Sequence, residues 1–308
     1  AQVQVVQDHL ARIGSAATVE NSERARGMVR VRYAQSEQQP LVSIIVPTRD
    51  RLDLLSVCLT TLFSNTEYSN FEVIIVDNGS EELMTMKYLK DIQQRSNVKV
   101  IRMDVPFNYA YLNNRAVEKC LGDYVLLLNN DIEFTDPDWL SEMLSWAMQP
   151  NVGCVGAKLW YPDGTLQHGG VILGIGGMAG HAHRGLSKIE NGYVNRAVVH
   201  QNISAITGAC LMVKRSIYDA VSGLDEQFAV AYNDIDFCLR VQAAGYQNVW
   251  TPFAEMIHHE SATRRADTDP VQRARLEKEV KIMKERWGDL MQNDPAYSRN
   301  LSRVSEDF

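Results

Sequence analysis

The sequence lacks any apolar run long enough to cross a membrane. Its longest runs, such as LVSIIVP and YVLLLNN, are far shorter than the roughly 20 residues that a membrane-spanning helix needs. No secretory signal opens the chain, which begins with Ala rather than Met and reads as a helix from its first residues. We therefore expect no membrane-spanning helix, and we expect the chain to be a piece of a longer protein.

The sequence also lacks cysteines at metal-binding or disulfide spacing, and it lacks an excess of clustered basic residues. The five cysteines are scattered and odd in number, without a C-x-x-C spacing, so the sequence predicts neither a disulfide framework nor a zinc site. This usage is typical of a reducing compartment, and we expect a cytoplasmic protein. The net charge is -7, which argues against a nucleic-acid partner because phosphate binding needs clustered Lys and Arg in excess.

What the chain does have is the composition of a globular protein with a sizeable core. It has 308 residues, of which 45% are hydrophobic and 22% are charged. Residues 1–40 are polar with one amphipathic patch, and they predict a helical extension followed by a linker. We expect one principal domain over residues 41–268, and a helical extension over residues 269–308, where helical spacing returns.

The first half of the principal domain alternates short apolar runs with segments of helical spacing. This pattern predicts strands at 41–46, 71–76, 98–102 and 124–128 in a mostly parallel sheet, which is an α/β fold. The runs SIIV, EVIIV and YVLLL are almost continuously apolar, as strands covered on both faces require. The second half is mixed rather than a regular alternation of strands and helices.

Polar residues follow three of these strands at the carboxyl edge, where open α/β sheets bind ligands. Asp131 follows a buried strand and stands where oxygen ligands would converge on a pocket. Mg²⁺ and Mn²⁺ favour such oxygen ligands and complete their shell with phosphates and water. The alternative, of equal weight, is that these residues only cap a turn. The three segments are Pro47-Thr48-Arg49-Asp50, Asp77-Asn78-Gly79-Ser80 and Asn129-Asn130-Asp131.

A second group of carboxylates lies in AYNDIDFCLRVQAAGY, where Asp234 and Asp236 begin a predicted helix that Gly245 ends. Residues two apart on a helix face nearly opposite sides. Asp236 is four residues before Arg240, a spacing that favours an ordinary ion pair. Asp234 is then left for a pocket, although capping would explain a carboxylate at a helix start better if nothing else supported a site.

Two further motifs have both a structural and a functional interpretation. In MIHHESATRR, His258 is expected to face a cleft if the apolar residue before it faces the core, and Arg264 is able to meet a diphosphate. A lone His is more often structural. The glycines of GGVILGIGGMAGHAHRG have G-x-G-x-x-A spacing but lie mid-chain, so we interpret them as a flexible loop rather than a dinucleotide site. His181, His183 and Arg184 in this loop are candidates to meet a hydroxyl-rich substrate.

Taken in order, these motifs resemble the family 2 glycosyltransferases, bacterial inverting enzymes with the GT-A fold. The similarity spans roughly residues 41 to 301 and is greatest to members that build O-antigen and capsule chains. It implies an α/β GT-A fold with a Rossmann-like nucleotide-binding half, a mixed acceptor-side half, and residues 41–268 as the catalytic domain. The blocks that carry it are VSIIVPTRDR, EVIIVDNGS, LLLNNDIE, TGACLMVKRS, GLDEQF, NDIDFCLR-x5-GY, PFAEMIHHES and RWGDLMQNDPAYSRNLS.

The resemblance also implies roles for single residues. Asn129-Asn130-Asp131 stands where the family has Asp-x-Asp, so Asp131, helped by His258, is expected to bind Mn²⁺ or Mg²⁺, while Asn129 offers only a neutral oxygen. The family's base motif reads Asn233-Asp234-Ile235-Asp236 here, which makes Asp234 the expected base. The residues expected around the nucleotide are Pro47, Thr48, Arg49, Asp50, Asp77, Asn78, Asn114, Asn129, Asn130 and Arg264.

The implied reaction needs a base that takes a proton from an acceptor hydroxyl. The expected partners are a UDP- or dTDP-linked sugar, a glycan or lipid-linked glycan acceptor, other domains of a longer polypeptide, and the inner face of the cell membrane. The missing first carboxylate of Asp-x-Asp keeps a second hypothesis open, an inactive glycan-binding or scaffolding module of the same fold. A third, a nicotinamide oxidoreductase, rests on the mid-chain glycines alone.

Overall fold

The computed structural model describes residues 1–35, 38–260 and 269–306. At the N-terminus, helix α1 (Gln2–Arg12) is followed by an antiparallel hairpin of strands β1 (Ala17–Asn21) and β2 (Val29–Tyr33). The hairpin occupies much of the stretch that we expected to be a linker. Its second strand reads VRVRY, and such strict alternation of apolar and polar residues is typical of a half-buried strand.

The next segment forms the predicted parallel sheet. Strands β3, β4, β5 and β6 are parallel to one another in the order β5-β4-β3-β6, so the four strand predictions are confirmed. The central residues of β3, β4 and β6 are buried because helices cover both faces, whereas β5 at the edge of the sheet is only partly buried. The elements are β3 (Val42–Thr48), α2 (Leu52–Ser64), β4 (Phe71–Asp77), α3 (Leu83–Ile92), β5 (Val98–Arg102), α4 (Tyr109–Val117) and β6 (Tyr124–Leu128).

The following segment extends the same sheet in a mixed arrangement. Strand β13 lies antiparallel between β6 and β8, and the main sheet runs β12-β14-β8-β13-β6-β3-β4-β5, with β7 on β14 and β9 on β8. The elements are β7 (Ile132–Phe134), α5 (Trp139–Ala147), β8 (Val152–Trp160), β9 (Leu166–His168), β10 (Val171–Leu173), β11 (Ala179–His181), β12 (Gln201–Asn202), β13 (Cys210–Lys214), α6 (Arg215–Ala220), α7 (Asn233–Ala243), β14 (Gln247–His258) and α8 (Pro270–Gln292), with short 3-10 helices at Ile175–Gly177 and Tyr193–Val198.

The glycine-rich stretch is a hairpin rather than a free loop. Strands β10 and β11 pair antiparallel, and all three residues of β10 are buried in the core. Gly174 at the turn has a φ of 85°, and a Cβ there would collide with the carbonyl oxygen of Met291 in α8. Glycine is therefore needed for close packing against α8. None of the helices in the described ranges combines the length and the apolar character that crossing a bilayer would require.

Candidate active site

A cavity of about 390 Å³ opens at the carboxyl edge of the parallel strands. One wall consists of strand-end residues, and the opposite wall begins with Asp234 at the start of α7. Parallel strands end together at one edge, which is why residues from separate turns meet there. The residues expected from the sequence that line this cavity are Pro47, Thr48, Arg49, Asn78, Asn129, Asn130, Asp131 and Asp234.

Two other predicted residues have structural contacts beside the cavity rather than on its wall. Asp77 is buried, and its carboxylate accepts hydrogen bonds from the Ser80 backbone N–H at 2.8 Å and from Arg102 at 2.9 Å. One carboxylate oxygen of Asp50 accepts the backbone N–H groups of residues 81 and 82, just before α3, at 2.8 and 2.9 Å. Both residues shape the turns that carry the wall.

Asn114 is not brought to the cavity. Its side chain accepts from the Tyr218 hydroxyl at 2.6 Å and from the Leu224 N–H at 2.9 Å, and it donates to the Leu224 carbonyl at 2.9 Å. These contacts lie in a separate surface groove of about 740 Å³, in which Asn114 joins α4 to the loop after α6. The predicted Arg264 lies outside the described residues.

Asn78 has an amide whose orientation is fixed. Its Nδ2 donates to the carbonyl oxygens of Met103 and Val105, each at 2.8 Å. Its Oδ1 is buried and has no hydrogen-bond partner among the described residues, although Asn78 lines the cavity. Because Nδ2 is already committed, Asn78 offers an incoming ligand an acceptor only.

Asp131 and His258 form a buried pair at the end of β6 and β14. Asp131 Oδ1 lies 3.1 Å from His258 Nε2. Burial alone would raise the pKa of Asp131, but the adjacent His258 imidazole outweighs burial and lowers it. The next pair along each segment, Glu133 and His259, is separate, with 2.8 Å between Oε2 and Nε2. The two adjacent histidines thus contact different acids.

The Asp131 and His258 side chains fit neighbouring positions around a divalent cation. Apart from the contact with His258 Nε2, Asp131 Oδ1 has no partner in the described part of the chain, and His258 Nδ1, the other ring nitrogen, has none. With bonds of about 2.1 Å, adjacent ligands of an octahedral ion lie roughly 3 Å apart, close to the 3.1 Å between Asp131 Oδ1 and His258 Nε2. Residues 1–35, 38–260 and 269–306 contain no group of three or more potential metal-binding side chains. The protein would therefore supply few ligands, and phosphates and water the rest.

Asp234 is held by neutral donors at the start of α7. Its Oδ2 accepts the Gly208 N–H at 2.7 Å, and its Oδ1 accepts the Ile235 N–H at 2.8 Å. The Tyr109 hydroxyl donates to the Gly208 carbonyl at 2.8 Å, and burial together with the charge of Asp234 raises the pKa of Tyr109, which keeps it neutral. Within the described residues no cation pairs with Asp234, so a half-buried carboxylate without a counter-ion lines the cavity.

Asp236 has a different environment although it is only two residues away. It is fully buried and accepts from Arg240 at 2.7 Å, from Arg286 at 2.6 Å and from the Trp287 indole at 2.9 Å. The predicted ion pair with Arg240 is confirmed. The two partners from α8 had no sequence signal, because they are separated from Asp236 by about 50 residues.

Several lining residues were missed by the sequence reasoning. Residues 207–209 stand directly before the buried strand β13 in the motif TGACLMVKRS, so a signal for them existed. Phe107 is 54% exposed at the cavity, and neither it nor Tyr109 stands in a recognisable motif. The missed residues are Phe107, Tyr109, Leu112, Thr207, Gly208, Ala209, Val230 and Asn233.

The histidines of the β10–β11 hairpin have protein partners elsewhere. His181 Nδ1 lies 2.7 Å from Nδ1 of His168, and Arg184 donates to the Tyr161 hydroxyl at 2.6 Å. Burial lowers the pKa of both histidines, so both are neutral near pH 7. His183 is buried. These candidates do not line the cavity.

Residues 43–222 match the model of the family described as glycosyl transferase family 2. This chain belongs to glycosyltransferase family 2. The chain is 51% identical over 274 residues to the uncharacterized protein y4gI of Sinorhizobium fredii, and 40% identical over 274 residues to the O-antigen biosynthesis protein RfbC of Myxococcus xanthus. Each match covers 88% of this chain but only 30% and 21% of those proteins. The chain thus spans less than a third of either relative.

A third relative of this chain is the N-acetylglucosaminyl-diphospho-decaprenol L-rhamnosyltransferase of Mycobacterium tuberculosis. It is 26% identical over 210 residues, which cover 61% of this chain and 66% of that protein. The predicted membership of family 2 is confirmed by these matches.

Two solved structures share the fold of this chain. The mannosyltransferase PcManGT from Pyrobaculum calidifontis, in complex with GDP-Man and Mn²⁺, has a TM-score of 0.56 at 16% identity, with 84% of this chain and 66% of that chain covered. GalNAc-T7 with UDP, GalNAc and Mn²⁺ has a TM-score of 0.66 at 12% identity, with 93% and 56% covered. The fold is therefore GT-A, as predicted.

Proposed function

We propose that this chain is the catalytic domain of a metal-dependent, inverting glycosyltransferase that moves a sugar from a nucleoside diphosphate to a glycan hydroxyl in cell-surface polysaccharide synthesis. The observation that carries the proposal is a single cavity lined by Asn78, Asp131 and Asp234. These side chains offer an acceptor for a base, a carboxylate for a cation and a carboxylate that has no counter-ion among the described residues. Support for the biological role comes from the relative named as an O-antigen biosynthesis protein.

The fixed amide of Asn78 suits a base that donates a hydrogen bond, as uracil and thymine do. Its free Oδ1 accepts hydrogen bonds only. The N3 position of uracil and thymine carries an N–H donor, whereas the corresponding nitrogen of cytosine is an acceptor. UDP- and dTDP-linked sugars, which the family resemblance implies and this acceptor suits, are the donors that we propose, with the loop at Pro47, Thr48 and Arg49 beside the nucleotide.

Asp131 and His258 are the proposed protein ligands of a divalent cation, Mn²⁺ or Mg²⁺. A cation bound there would neutralise the negative charge that develops on the departing nucleoside diphosphate. The solved structures of PcManGT and GalNAc-T7 both contain Mn²⁺ with donor components. Asn129, which replaces a carboxylate expected from the family pattern, lines the same cavity and contributes a neutral side chain.

Asp234 is the proposed general base. The acceptor oxygen forms a bond to the anomeric carbon while the bond from that carbon to the diphosphate oxygen breaks, and the hydroxyl proton passes to Asp234. The bonding electrons leave with the diphosphate, so no acid is needed on that side. Backbone donors from Gly208 and Ile235 orient the carboxylate without neutralising its charge.

The wider setting of the reaction is also a proposal. Because the chain spans a small part of its first two relatives, we propose that it works together with other domains of a longer polypeptide. A glycan or lipid-linked glycan acceptor at the cytoplasmic face of the membrane suits a nucleotide-sugar donor. The five free cysteines, all buried, suit a reducing compartment.

A screen of nucleotides with and without Mn²⁺ tests this function. UDP or dTDP should raise the melting temperature only when Mn²⁺ is present, and CDP should raise it less, since binding to the native state stabilises it. UDP- and dTDP-linked sugars would then be tested for release of nucleoside diphosphate. The inactive-module alternative, which the neutral Asn129 favours, predicts binding without release. Equal stabilisation by all nucleotides, with or without Mn²⁺, would contradict the proposed site.

A further inference from the structure

We infer that helix α8 positions the catalytic base, and that Glu279 is the residue through which it does so. The inference rests on the proposed role of Asp234. The helix follows Asp234 by nearly 40 residues and lies beyond residues 43–222, which match the family model. Two separate sets of contacts from α8 bracket the peptide segment that carries Asp234.

The segment in front of Asp234 is backbone under strain. Tyr232 has a φ of 62°, in the left-handed region that non-glycine residues avoid. The next two residues, Asn233 and Asp234, begin α7 and line the cavity, as does Val230 before them. Strained conformations of this sort persist only where surrounding structure holds them. The direction in which Asp234 points thus depends on what fixes residues 230–232.

Glu279 supplies that fixing contact. It is fully buried, and its two carboxylate oxygens accept the backbone N–H of Val230 at 3.1 Å and of Ala231 at 3.2 Å. Burying a carboxylate is costly unless hydrogen bonds compensate for lost water. Here the carboxylate bonds to two consecutive peptide groups, so it fixes the orientation of both. One oxygen also lies 3.9 Å from Arg275, one turn earlier on α8.

The second set of contacts holds α7 just after Asp234. Arg286 and the Trp287 indole both donate to Oδ1 of the buried Asp236, at 2.6 and 2.9 Å. Arg286 also reaches Asp225 at 2.9 Å, in the loop before α7. Glu279 therefore holds the backbone on one side of Asp234, and Arg286 and Trp287 hold the helix on the other. Asp234 itself has no contact with α8 among its described hydrogen bonds.

The test compares Glu279→Gln with a matched control, Glu277→Gln, which makes the same chemical change at an exposed position of α8. The amide can accept only one of the two N–H groups and turns its own donors towards the other. A misplacement of the order of 1 Å can cost roughly 100-fold in rate. We expect kcat for nucleoside diphosphate release from the UDP- or dTDP-sugar identified by the screen to fall about 10- to 100-fold in Glu279→Gln, and to be unchanged in Glu277→Gln.

Calorimetric titration with UDP or dTDP in the presence of Mn²⁺ is carried out on the same samples. The number of nucleotides bound per chain measures the fraction of the protein that is folded. In Glu279→Gln the affinity and the stoichiometry should match the parent chain, because the opposite wall of the cavity binds the nucleotide. A stoichiometry that falls in step with kcat would overturn the inference, since Glu279 would then support only folding. An unchanged kcat would overturn it too.

Asp234→Asn, measured alongside, separates this inference from the proposed function. Loss of turnover in Asp234→Asn with normal turnover in Glu279→Gln would overturn the positioning role alone. Turnover retained in Asp234→Asn would overturn both proposals, that Asp234 is the base and that α8 positions it. Loss of turnover in both variants, with nucleotide binding intact in both, is the result we expect.

Discussion

The two walls of the cavity are held in place by contacts of different range. On the proposed nucleotide side, strand-end residues are fixed by neighbouring strand ends: Asn130 donates to Thr48 at 2.9 Å, and Asn78 donates to carbonyl groups just after β5. On the proposed base side, Asp234 lies in the first turn of α7. Glu279 of α8 holds the residues before this turn, and Arg286 of α8 holds Asp236 within it, although both are remote in sequence.

This difference distinguishes residues that the sheet topology alone brings together from a residue whose position depends on a separate helix of this chain. The parallel strands bring Thr48, Asn78 and Asn130 together as a consequence of sheet topology, whatever lies later in the chain. The direction of Asp234 follows from a strained turn and from buried side chains that a separate helix delivers. Substitutions on the two walls should therefore affect different measurements: binding on one side, and the chemical step or stability on the other.

The largest expected effect is that of Asp234→Asn. The change keeps the size of the side chain and its place on α7 but removes the ability to accept a proton. We expect kcat to fall about 10²- to 10⁴-fold, the usual cost of losing a general base, with nearly normal nucleotide binding. Steady-state turnover together with calorimetry checks both halves. If Asp234→Asn lost as much nucleotide affinity as kcat, the two walls would not have separate roles in binding and in the chemical step.

Asp236→Asn should act on stability instead. Asp236 is fully buried between Arg240 and Arg286, and removing its charge leaves two cations without their partner. Breaking such a buried pair costs about 3 to 5 kcal/mol of unfolding free energy. The matched control is Asp219→Asn, which removes an exposed pair with Arg215 at the same i,i+4 spacing and should cost less than about 1 kcal/mol. Urea unfolding measures the stability of both variants. If Asp236→Asn were stable but inactive, Asp236 rather than Asp234 would be the base, and the proposed assignment would be wrong.

The sequence predicts the nucleotide wall far better than the base wall, for the same reason of contact range. Short apolar runs in the sequence predict strands β3 to β6, and the polar residues after these strands lie at one edge of the sheet. Most residues of the proposed nucleotide wall were therefore predicted. Asp50 and Asp77 lie beside the cavity rather than on its wall, and Asn114 lies away from it because its side chain on α4 bonds the loop at Leu224. No local pattern marks Glu279, a charged residue that is fully buried in α8, as a partner of residues 230 and 231.

Asp131→Ala should affect the nucleotide wall. Removing a contact that merely orients a metal ligand typically lowers metal affinity about 10- to 100-fold, so loss of a ligand itself should cost at least about 100-fold. Titration of Mn²⁺ in the presence of UDP or dTDP measures the change. Asn129→Asp should bind Mn²⁺ as well as the parent chain or more tightly, because it restores a charge beside Asp131. Glu133→Gln, whose side chain contacts His259 instead, is the control. Unchanged Mn²⁺ affinity in Asp131→Ala would mean that the metal ligands lie elsewhere.

A second buried carboxylate, Glu142, can be compared with Glu279, because its contacts lie away from the cavity. Glu142 of α5 is buried and contacts Arg30 of the N-terminal hairpin at 2.9 Å, His200 at 2.8 Å and Thr251 at 2.8 Å. Like Glu279, it joins a terminal segment to the main domain through a buried carboxylate. Unlike Glu279, it contacts no residue of the cavity wall.

Glu142→Gln should therefore lower stability in a pH-dependent way and leave kcat unchanged. Burial would raise the pKa of Glu142, but His200 and Arg30 outweigh burial and lower it from 4.5 to about 2. A carboxyl whose pKa is lower in the folded state stabilises the fold above pH 4.5, and this contribution is lost as the pH falls towards 2. Burial also lowers the pKa of His200 below 6.5, so protonation of His200 weakens the fold further as the pH falls below 6.5. We expect Glu142→Gln to cost roughly 2 to 3 kcal/mol at pH 7, and much less at pH 3, in urea unfolding at the two pH values. A fall in kcat without a fall in nucleotide-binding stoichiometry would show that distant anchoring matters to the chemistry in general, and not only where the anchor ends on α7.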